Sequence, residues 1–156
     1  MIRFLSFSFL MTVFMACETG QLTSTPAELE GAWLFKGYDN STTPDCREDA
    51  REVTLDITRQ GNGFEISGRS FINIYSSSAD VSYNPSTQSG TIKFSAIGST
   101  KMGGPENLMA CEVVYYQLLA GTTTVKIEGN RLYLTRETRP VDSSVPVTLI
   151  FEKKKV

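Results

Sequence analysis

The sequence contains no histidine, and this absence removes several common catalytic arrangements. Ser-His-Asp and Cys-His catalysis both require an imidazole, and so do many zinc sites. Histidine is also the commonest general base near neutral pH. Catalysis would therefore have to rest on carboxylates, lysine, tyrosine or an unassisted nucleophile. Because no carboxylate pair has a convincing spacing, we expect a protein that is not an enzyme, with no cofactor and no metal site.

An excess of positive charge is also missing. The chain has 15 basic and 17 acidic residues, a net charge of −2, and no basic face stands out. Nucleic acid is therefore not an expected partner. The acidic residues within the segment 45–52 alternate with arginines and lack the glycine of a calcium-binding loop. We interpret that segment as a solvated loop whose charges pair with one another.

No hydrophobic run is long enough to span a membrane, which takes about 20 apolar residues. The apolar segment 4–16 follows Arg3 and ends at Ala16, directly before Cys17. This layout is typical of a secretory signal. It resembles the lipobox of bacterial lipoproteins, in which cleavage precedes a cysteine that carries lipid. The alternative is an ordinary signal peptide that leaves Cys17 as a spare thiol.

The lipobox predicts both the domain organisation and the location of the protein. Residues 1–16 are the expected lipoprotein-type signal peptide, residues 17–27 a polar tether, and residues 28–154 the folded domain. We expect a monomer attached to the membrane through an N-terminal lipid. Its place would be the bacterial cell envelope, on the outer membrane or facing the periplasm.

Cysteine is scarce, and the three cysteines form an odd number. If Cys17 is acylated, Cys46 and Cys111 remain as an even pair. In an oxidising envelope we expect them to form a disulfide. It would close a loop of about 65 residues and contribute about 4 kcal/mol in the chain-entropy model. The alternative is that Cys111 is a core thiol, because it lies on an apolar helix stripe.

Alternating apolar and polar residues predict short strands through most of the folded part. The predicted strands are 31–38, 51–58, 64–75, 79–83, 91–97, 124–128, 131–135 and 147–154. The pair Gly129-Asn130 is typical of a two-residue hairpin. The fold class is therefore mainly β, or β-rich α+β. We expect a small curved sheet or barrel-like domain of about seven or eight strands.

One helix interrupts the strands, near residues 105–120. Pro105 suits a first helical turn, and Gly121 suits a helix C-terminus with a left-handed residue. The apolar side chains recur at helical spacing and form one stripe. This stripe consists of Leu108, Cys111, Tyr115, Leu118 and Leu119. It has to be buried, most simply across one open end or face of the sheet.

This order of strands and helix resembles the META domain, the fold of the HslJ-like lipoproteins and periplasmic proteins of bacteria. The opening "LEGAWLF" is similar to the family's Leu-x-Gly-x-Trp start, and "NRLYL" and "TLIFEKK" are similar to its closing strands. "SGRSFINIY" is similar to its segment ending in Cys-Asn-x-Tyr, and "GSTKM" to its Thr-x-Met segment. The matching positions are Gly68, Asn73, Tyr75, Thr100, Met102 and, in the helix, Glu112.

Two positions depart from the family pattern. Ile72, and glycine at 103 and 104, stand where the family often has cysteine, so no role of those cysteines carries over. The resemblance implies a small β-rich envelope domain without established catalytic residues. We therefore expect a lipid-anchored protein with a non-catalytic role in binding or envelope maintenance. Its partner would be an unknown protein or small-molecule ligand.

Several alternatives remain open from the sequence. Asn73 and Tyr75 could contact a ligand at a barrel mouth, or Asn73 could bind backbone groups at a turn, the interpretation that we favour. Gly31-x-Trp33 is also similar to the Gly-x-Trp motif of lipocalins, which suggests a carrier of a small hydrophobic ligand. The position of the helix before the last three strands favours the META domain. Binding through the loops 39–50 and 136–146 is a further hypothesis.

Overall fold

The structure is a computed structural model that describes residues 27–39, 52–136 and 148–155. Within these residues the chain forms nine strands and one helix. They are β1 (Gly31–Tyr38), β2 (Thr54–Gln60), β3 (Gly63–Arg69), β4 (Ile74–Asn84), β5 (Ser89–Phe94), β6 (Gly98–Ser99), α1 (Glu106–Gly121), β7 (Thr124–Glu128), β8 (Arg131–Thr135) and β9 (Thr148–Lys153).

Eight of these strands form a closed antiparallel barrel. They follow one another around the wall in the order β1, β2, β3, β4, β5, β7, β8 and β9, and β9 pairs with β1 to close it. The two-residue strand β6 pairs only with the start of β4. The predicted mainly β, barrel-like fold with one helix is confirmed.

The barrel forms because its strands alternate inward apolar and outward polar residues. In β2, Leu55 and Ile57 point inward and are buried, whereas the next residue, Thr58, points outward and is exposed. Full burial of such side chains contributes about 1.5–3 kcal/mol each. Near the start of β1, Trp33 is 1% exposed, and its indole Nε1 donates to the carbonyl of Leu29 at 2.9 Å. This side chain fills the barrel end at which β1 begins.

Several strand boundaries differ from the sequence prediction, by two or three residues at β2 and β5 and by more at β3 and β4. The predicted strand 64–75 ends at Arg69, and a tight turn follows in which the N–H of Ser70 donates to the carbonyl of Asn73 at 2.7 Å. The predicted strand 79–83 is the second half of the longer β4. β4 is long because its first half pairs with β3 and its second half with β5, the change occurring at Ala79.

The predicted helix and its buried stripe are confirmed, but its C-terminal end differs from the prediction. Gly121 is the last helical residue and does not have a positive φ. Thr122 ends the helix instead, in an extended conformation, and its hydroxyl donates to the carbonyl of Leu118 at 2.9 Å. A Cβ at 121 would lie 2.9 Å from Cδ of Arg136, so a larger residue there would require that flexible side chain to shift.

The topology places α1 at one end of the barrel, here named the helix end. The helix connects the end of β5 to the start of β7, and β1 and β3 also end there. The opposite end carries the short β2–β3, β4–β5 and β7–β8 turns, including the predicted hairpin turn, where Gly129 has a φ of 61°. Among the described residues, no helix has the length and apolarity needed to cross a membrane.

Candidate functional site

Aromatic side chains fill the helix end of the barrel and pack around Tyr115 of α1. The Tyr115 ring meets the rings of Phe35, Phe71, Tyr75 and Phe151 edge to face, at centroid separations of 5.5, 6.1, 5.8 and 6.4 Å. These partners belong to β1, the β3–β4 turn, β4 and β9. Each such pair adds about 0.5–1.5 kcal/mol beyond area burial. Tyr115 therefore packs the helix against several separate parts of the barrel wall.

One extra residue in β1 brings two of the aromatic rings to the same side of the wall. Phe35 pairs with Phe151 and Tyr38 pairs with Leu149, and the register shifts between Phe35 and Gly37. Without this bulge, residues three apart would face opposite sides, because side chains alternate along a strand. Gly37 has a φ of 141°, a value that residues with a Cβ rarely adopt.

Tyr75 belongs to a buried chain of hydrogen bonds. Its hydroxyl donates to the carbonyl of Thr54 at 2.9 Å, and it lies 2.8 Å from the hydroxyl of Tyr115, which therefore donates to it. Gly68 lies directly opposite Tyr75 in the β3–β4 pairing, and a Cβ there would lie 2.1 Å from the Thr54 oxygen. Burial raises the pKa of both phenols, so they are neutral hydrogen-bonding groups near pH 7.

A second buried group of polar residues holds α1 to the β3–β4 turn; Ser70, Asn73, Thr100, Met102 and Glu112 are named here the anchor cluster. Glu112 is 8% exposed. Its Oε2 accepts from the backbone N–H of Asn73 at 2.9 Å, from that of Ile72 at 3.1 Å, and from the Ser70 hydroxyl. Its Oε1 accepts from Nδ2 of Asn73 at 2.6 Å. One carboxylate therefore satisfies four donors of the turn.

Asn73 connects this turn to the segment that precedes the helix. Its Oδ1 accepts from the Thr100 hydroxyl and from the N–H of Met102, both at 2.8 Å. Its Nδ2 also lies 3.3 Å from the carbonyl of Met102. Asn73 is 4% exposed, and its side-chain oxygen and nitrogen both have partners within the protein. This geometry supports the structural interpretation of Asn73 rather than a ligand contact.

The charge state of Glu112 follows from these contacts. Burial alone would raise its pKa, but the hydrogen bonds from Ser70, Asn73 and Ile72 together outweigh burial and lower the pKa below its usual value. The carboxylate is therefore ionised near neutral pH. A general acid at that pH would need a raised pKa. The chemistry of Glu112 is that of a fixed acceptor that binds the turn to the helix.

An open groove lies elsewhere, on the outer surface of the barrel wall formed by β5, β7, β8 and β9. It has a volume of about 590 Å³. Its floor consists of side chains that alternate with the inward core residues of these strands, and we name it the outer groove. The defining residues are Thr124, Lys126, Tyr133, Thr135, Thr148 and Ile150. Unlike the anchor cluster, it faces solvent.

The anchor cluster gathers residues that are distant in the sequence but belong to the motifs quoted above. Asn73, Thr100, Met102 and Glu112 are joined by hydrogen bonds at the helix end. Tyr75 is connected to them through Tyr116, whose ring packs on Tyr75 and whose hydroxyl donates to Ser70 at 2.8 Å. The family model of the META domain matches residues 21–148. The chain belongs to the META domain family. No curated protein sequence matches it.

The META motif positions therefore encode how the helix is fixed to the barrel. The two positions that depart from the family pattern also meet at this place. Ile72 lies against Gly104, and a Cβ at Gly104 would lie 2.7 Å from Cδ1 of Ile72. In this META domain, an isoleucine side chain thus occupies the space beside the glycine, where the resemblance would place cysteines.

The remaining predicted site residues fall partly outside the described residues. Cys17 and Cys46 lie outside them, and Cys111 is fully buried on α1. The Cys46–Cys111 disulfide and the lipidation of Cys17 therefore stay predictions. The predicted binding loops 39–50 and 136–146 also lie mostly outside. At their described flanks, the N–H of Asp39 donates to the carbonyl of Thr148 at 3.1 Å.

Sequence reasoning missed the binding partners of Glu112 and the whole outer groove. Glu112 lies four residues after Leu108 and seven before Leu119, so a charged residue stands within the apolar helix stripe. That signal predicts a buried acceptor, although it does not identify the donors. Within the described part of the chain, no group of three or more cysteine or acidic side chains is placed to hold a metal ion.

Proposed function

We propose that this META domain is a lipid-anchored, non-catalytic binding domain of the bacterial cell envelope. A lipid on Cys17 attaches it to the membrane, and the polar residues after Cys17 form the tether. The apolar segment 4–16, the small Ala16 before the cysteine and the odd number of cysteines support the anchor. The folded part acts by contact with a protein or a small molecule of the envelope.

The outer groove is the observation that carries the binding proposal. Its volume of about 590 Å³ lies within the range of small-molecule sites, which is about 300–1,000 Å³. The anchor cluster offers a ligand much less, because the carboxylate of Glu112 and the amide of Asn73 already have partners inside the protein. Binding at the groove leaves the helix and its contacts undisturbed.

The anchor is tested by the intact mass of the protein purified from its native membrane fraction. The expected mass is that of residues 17–156 plus a diacylglycerol group, increasing by two hydrogens on reduction if Cys46 and Cys111 are bonded. A Cys17→Ala variant is the control and should carry no lipid. An unlipidated mass that begins elsewhere in the chain would refute the anchor.

The binding role is tested with a photo-crosslinking amino acid in the membrane-tethered full chain. One variant carries it at Lys126 in the outer groove, and the control carries it at Thr58, which is exposed on β2. We expect a discrete adduct from position 126 and none from position 58. Equal labelling at both positions, or no adduct at either, would contradict a binding role for the groove.

A lipocalin-like carrier of a small hydrophobic ligand is the second candidate, because the eight-stranded barrel fits it. A carrier needs internal space, whereas here Tyr115 is completely buried among aromatic rings at the helix end and Trp33 is buried near the other end. An apolar fluorescent probe distinguishes the two. Saturable one-to-one binding that a Thr135→Val change in the groove leaves unaltered would favour the carrier.

A further inference from the structure

The strand register gives the outer groove a row of hydroxyl groups. Thr124 of β7 pairs with Thr135 of β8, which pairs with Thr148 of β9. The hydroxyls of Thr135 and Thr148 lie 3.1 Å apart, and the hydroxyl of Thr124 donates to the carbonyl of Thr135 at 3.4 Å. Cβ atoms of directly opposed residues are about 4.5–5.5 Å apart. The row therefore presents three regularly spaced hydroxyl oxygens that can accept hydrogen bonds, and one hydroxyl of the Thr135–Thr148 pair keeps its hydrogen for donation to a ligand.

A second row runs beside the first, two residues along each strand. Lys126 pairs with Tyr133, and Tyr133 pairs with Ile150. The register thus places the half-buried Tyr133 between Lys126 and Ile150 on the outer face of the wall. An aromatic surface beside a row of hydroxyls matches a ligand with one apolar face and a hydroxylated edge.

The charges around the groove favour a neutral ligand. The ammonium of Lys126 lies 2.6 Å from Oε1 of Glu128, and both side chains are about half exposed, at 55% and 52%. The carboxylate of Asp39 also lines the groove and accepts from the N–H of Thr148 at 3.3 Å. The cation is thus already paired while two carboxylates are present, so a phosphate, sulfate or carboxylate ligand would meet net repulsion.

We propose that the outer groove binds a neutral carbohydrate, with one sugar ring stacked on Tyr133 and its hydroxyls bonded along the row of Thr124, Thr135 and Thr148. Sugar rings carry C–H groups that pack on an aromatic face and hydroxyls that donate and accept, which is the pairing that the two rows offer. The volume of about 590 Å³ accommodates about two or three rings. This inference rests on the proposed function, because it takes the groove as the binding site.

The test is a two-dimensional NMR titration of the full mature chain, residues 17–156, produced without the signal segment and with Cys17→Ala so that it carries no lipid. The neutral probes are maltotriose, cellotriose and N,N′-diacetylchitobiose, and the anionic probes are glucose 6-phosphate and N-acetylneuraminic acid. We expect saturable amide shifts in segments 124–126, 133–135 and 148–150 with at least one neutral probe. No anionic probe should bind more tightly than that neutral one.

Variants locate the binding. Tyr133→Ala should weaken the neutral complex at least about tenfold, which corresponds to about 1.4 kcal/mol. Thr135→Val keeps the shape and removes a hydroxyl, and should weaken it about threefold or more. Thr58→Val, on the exposed face of β2, is the matched control and should leave the affinity unchanged. Fluorescence of the buried Trp33 checks that each variant is folded.

Three results would overturn the carbohydrate inference. The first is the absence of saturable shifts with every neutral probe up to about 50 mM, a concentration far above the millimolar dissociation constants of weak complexes. The second is tighter binding of an anionic probe. The third is full affinity in both Tyr133→Ala and Thr135→Val. If these occur while the crosslinker at position 126 still forms its specific adduct, only the ligand class is wrong. If the adduct is also missing, the proposed function fails as well.

Discussion

Replacing Glu112 by glutamine tests how α1 is held in the barrel. The substitution keeps the shape of the side chain but exchanges one acceptor oxygen for a donor. If the new amide nitrogen takes the place of Oε2, it faces the N–H groups of Ile72 and Asn73; if it takes the place of Oε1, it faces Nδ2 of Asn73. Asn73 cannot reverse its own amide without loss, because its Oδ1 already accepts from Met102.

At least one buried donor therefore loses its acceptor in Glu112→Gln. Such a loss costs about 1–3 kcal/mol, and charged acceptors lie at the upper end of that range. We expect a decrease of about 2 kcal/mol in the free energy of unfolding near pH 7. This is a large share of the 5–15 kcal/mol that is typical of a folded domain.

The stability difference between Glu112→Gln and the parent protein should also depend on pH, in a direction that follows from the pKa of Glu112. The folded state lowers the pKa of Glu112 from the ordinary value of 4.5, so the unfolded state takes up the proton first as the pH falls. The stability that this shift contributes is complete above the unfolded pKa and is lost as the pH falls through the folded one. Glutamine does not titrate. The difference between the two proteins should therefore be largest near neutral pH and decrease below about pH 4.5.

Urea unfolding at several pH values measures this, with the fluorescence of the one tryptophan, Trp33, as the signal. Glu65→Gln is the matched control, because Glu65 is exposed on β3 and should change stability by no more than about 0.5 kcal/mol. Equal stability of Glu112→Gln and the parent protein near pH 7 would refute the reasoning. So would a difference that stays constant as the pH falls.

Two further substitution tests address the same end of the barrel. Gly68→Ala should destabilise the protein by about 3 kcal/mol, because the new Cβ would lie 2.1 Å from the carbonyl oxygen of Thr54 and the backbone would have to move. Thermal unfolding measures this loss, and an unchanged Tm would contradict the close approach of the two strands. Tyr38→Phe should stabilise the folded protein by about 1 kcal/mol, because the Tyr38 hydroxyl is buried without a hydrogen-bond partner in the described part of the chain. Tyr75→Phe should destabilise it by about 1–3 kcal/mol, because the Tyr75 hydroxyl bonds to Thr54 and Tyr115. Urea unfolding of this matched pair must give opposite signs.

Local signals in the sequence were sufficient for the fold class. The alternation of Leu55 and Ile57 with polar residues predicted β2, and Gly129-Asn130 predicted the β7–β8 hairpin. The spacing of Leu108 and Tyr115 predicted the buried face of α1. Each of these signals depends only on residues within one element or one turn, which is why it can be read without knowing the rest of the fold.

The anchor cluster could not be predicted in the same way. The turn at residues 70–73 contains neither glycine nor proline, and it forms because its N–H groups bind Glu112, about forty residues further along the chain. A tight turn of ordinary residues leaves the periodicity of the flanking strands almost intact, so the sequence pattern predicts a continuous strand through residues 64–75. The sequence match at Glu112 identified the residue but not its partners.

The alternation of side chains along the strands also explains why stability and the proposed binding use separate residues. In β8, Leu132 and Leu134 point into the core and are almost completely buried, while Tyr133 between them lies in the outer groove. The same five-residue strand thus contributes to both surfaces without sharing a side chain between them. A closed barrel whose helix is fixed from inside leaves its outer wall free to vary in sequence. Substitutions in the groove would therefore leave the contacts that hold the fold unchanged.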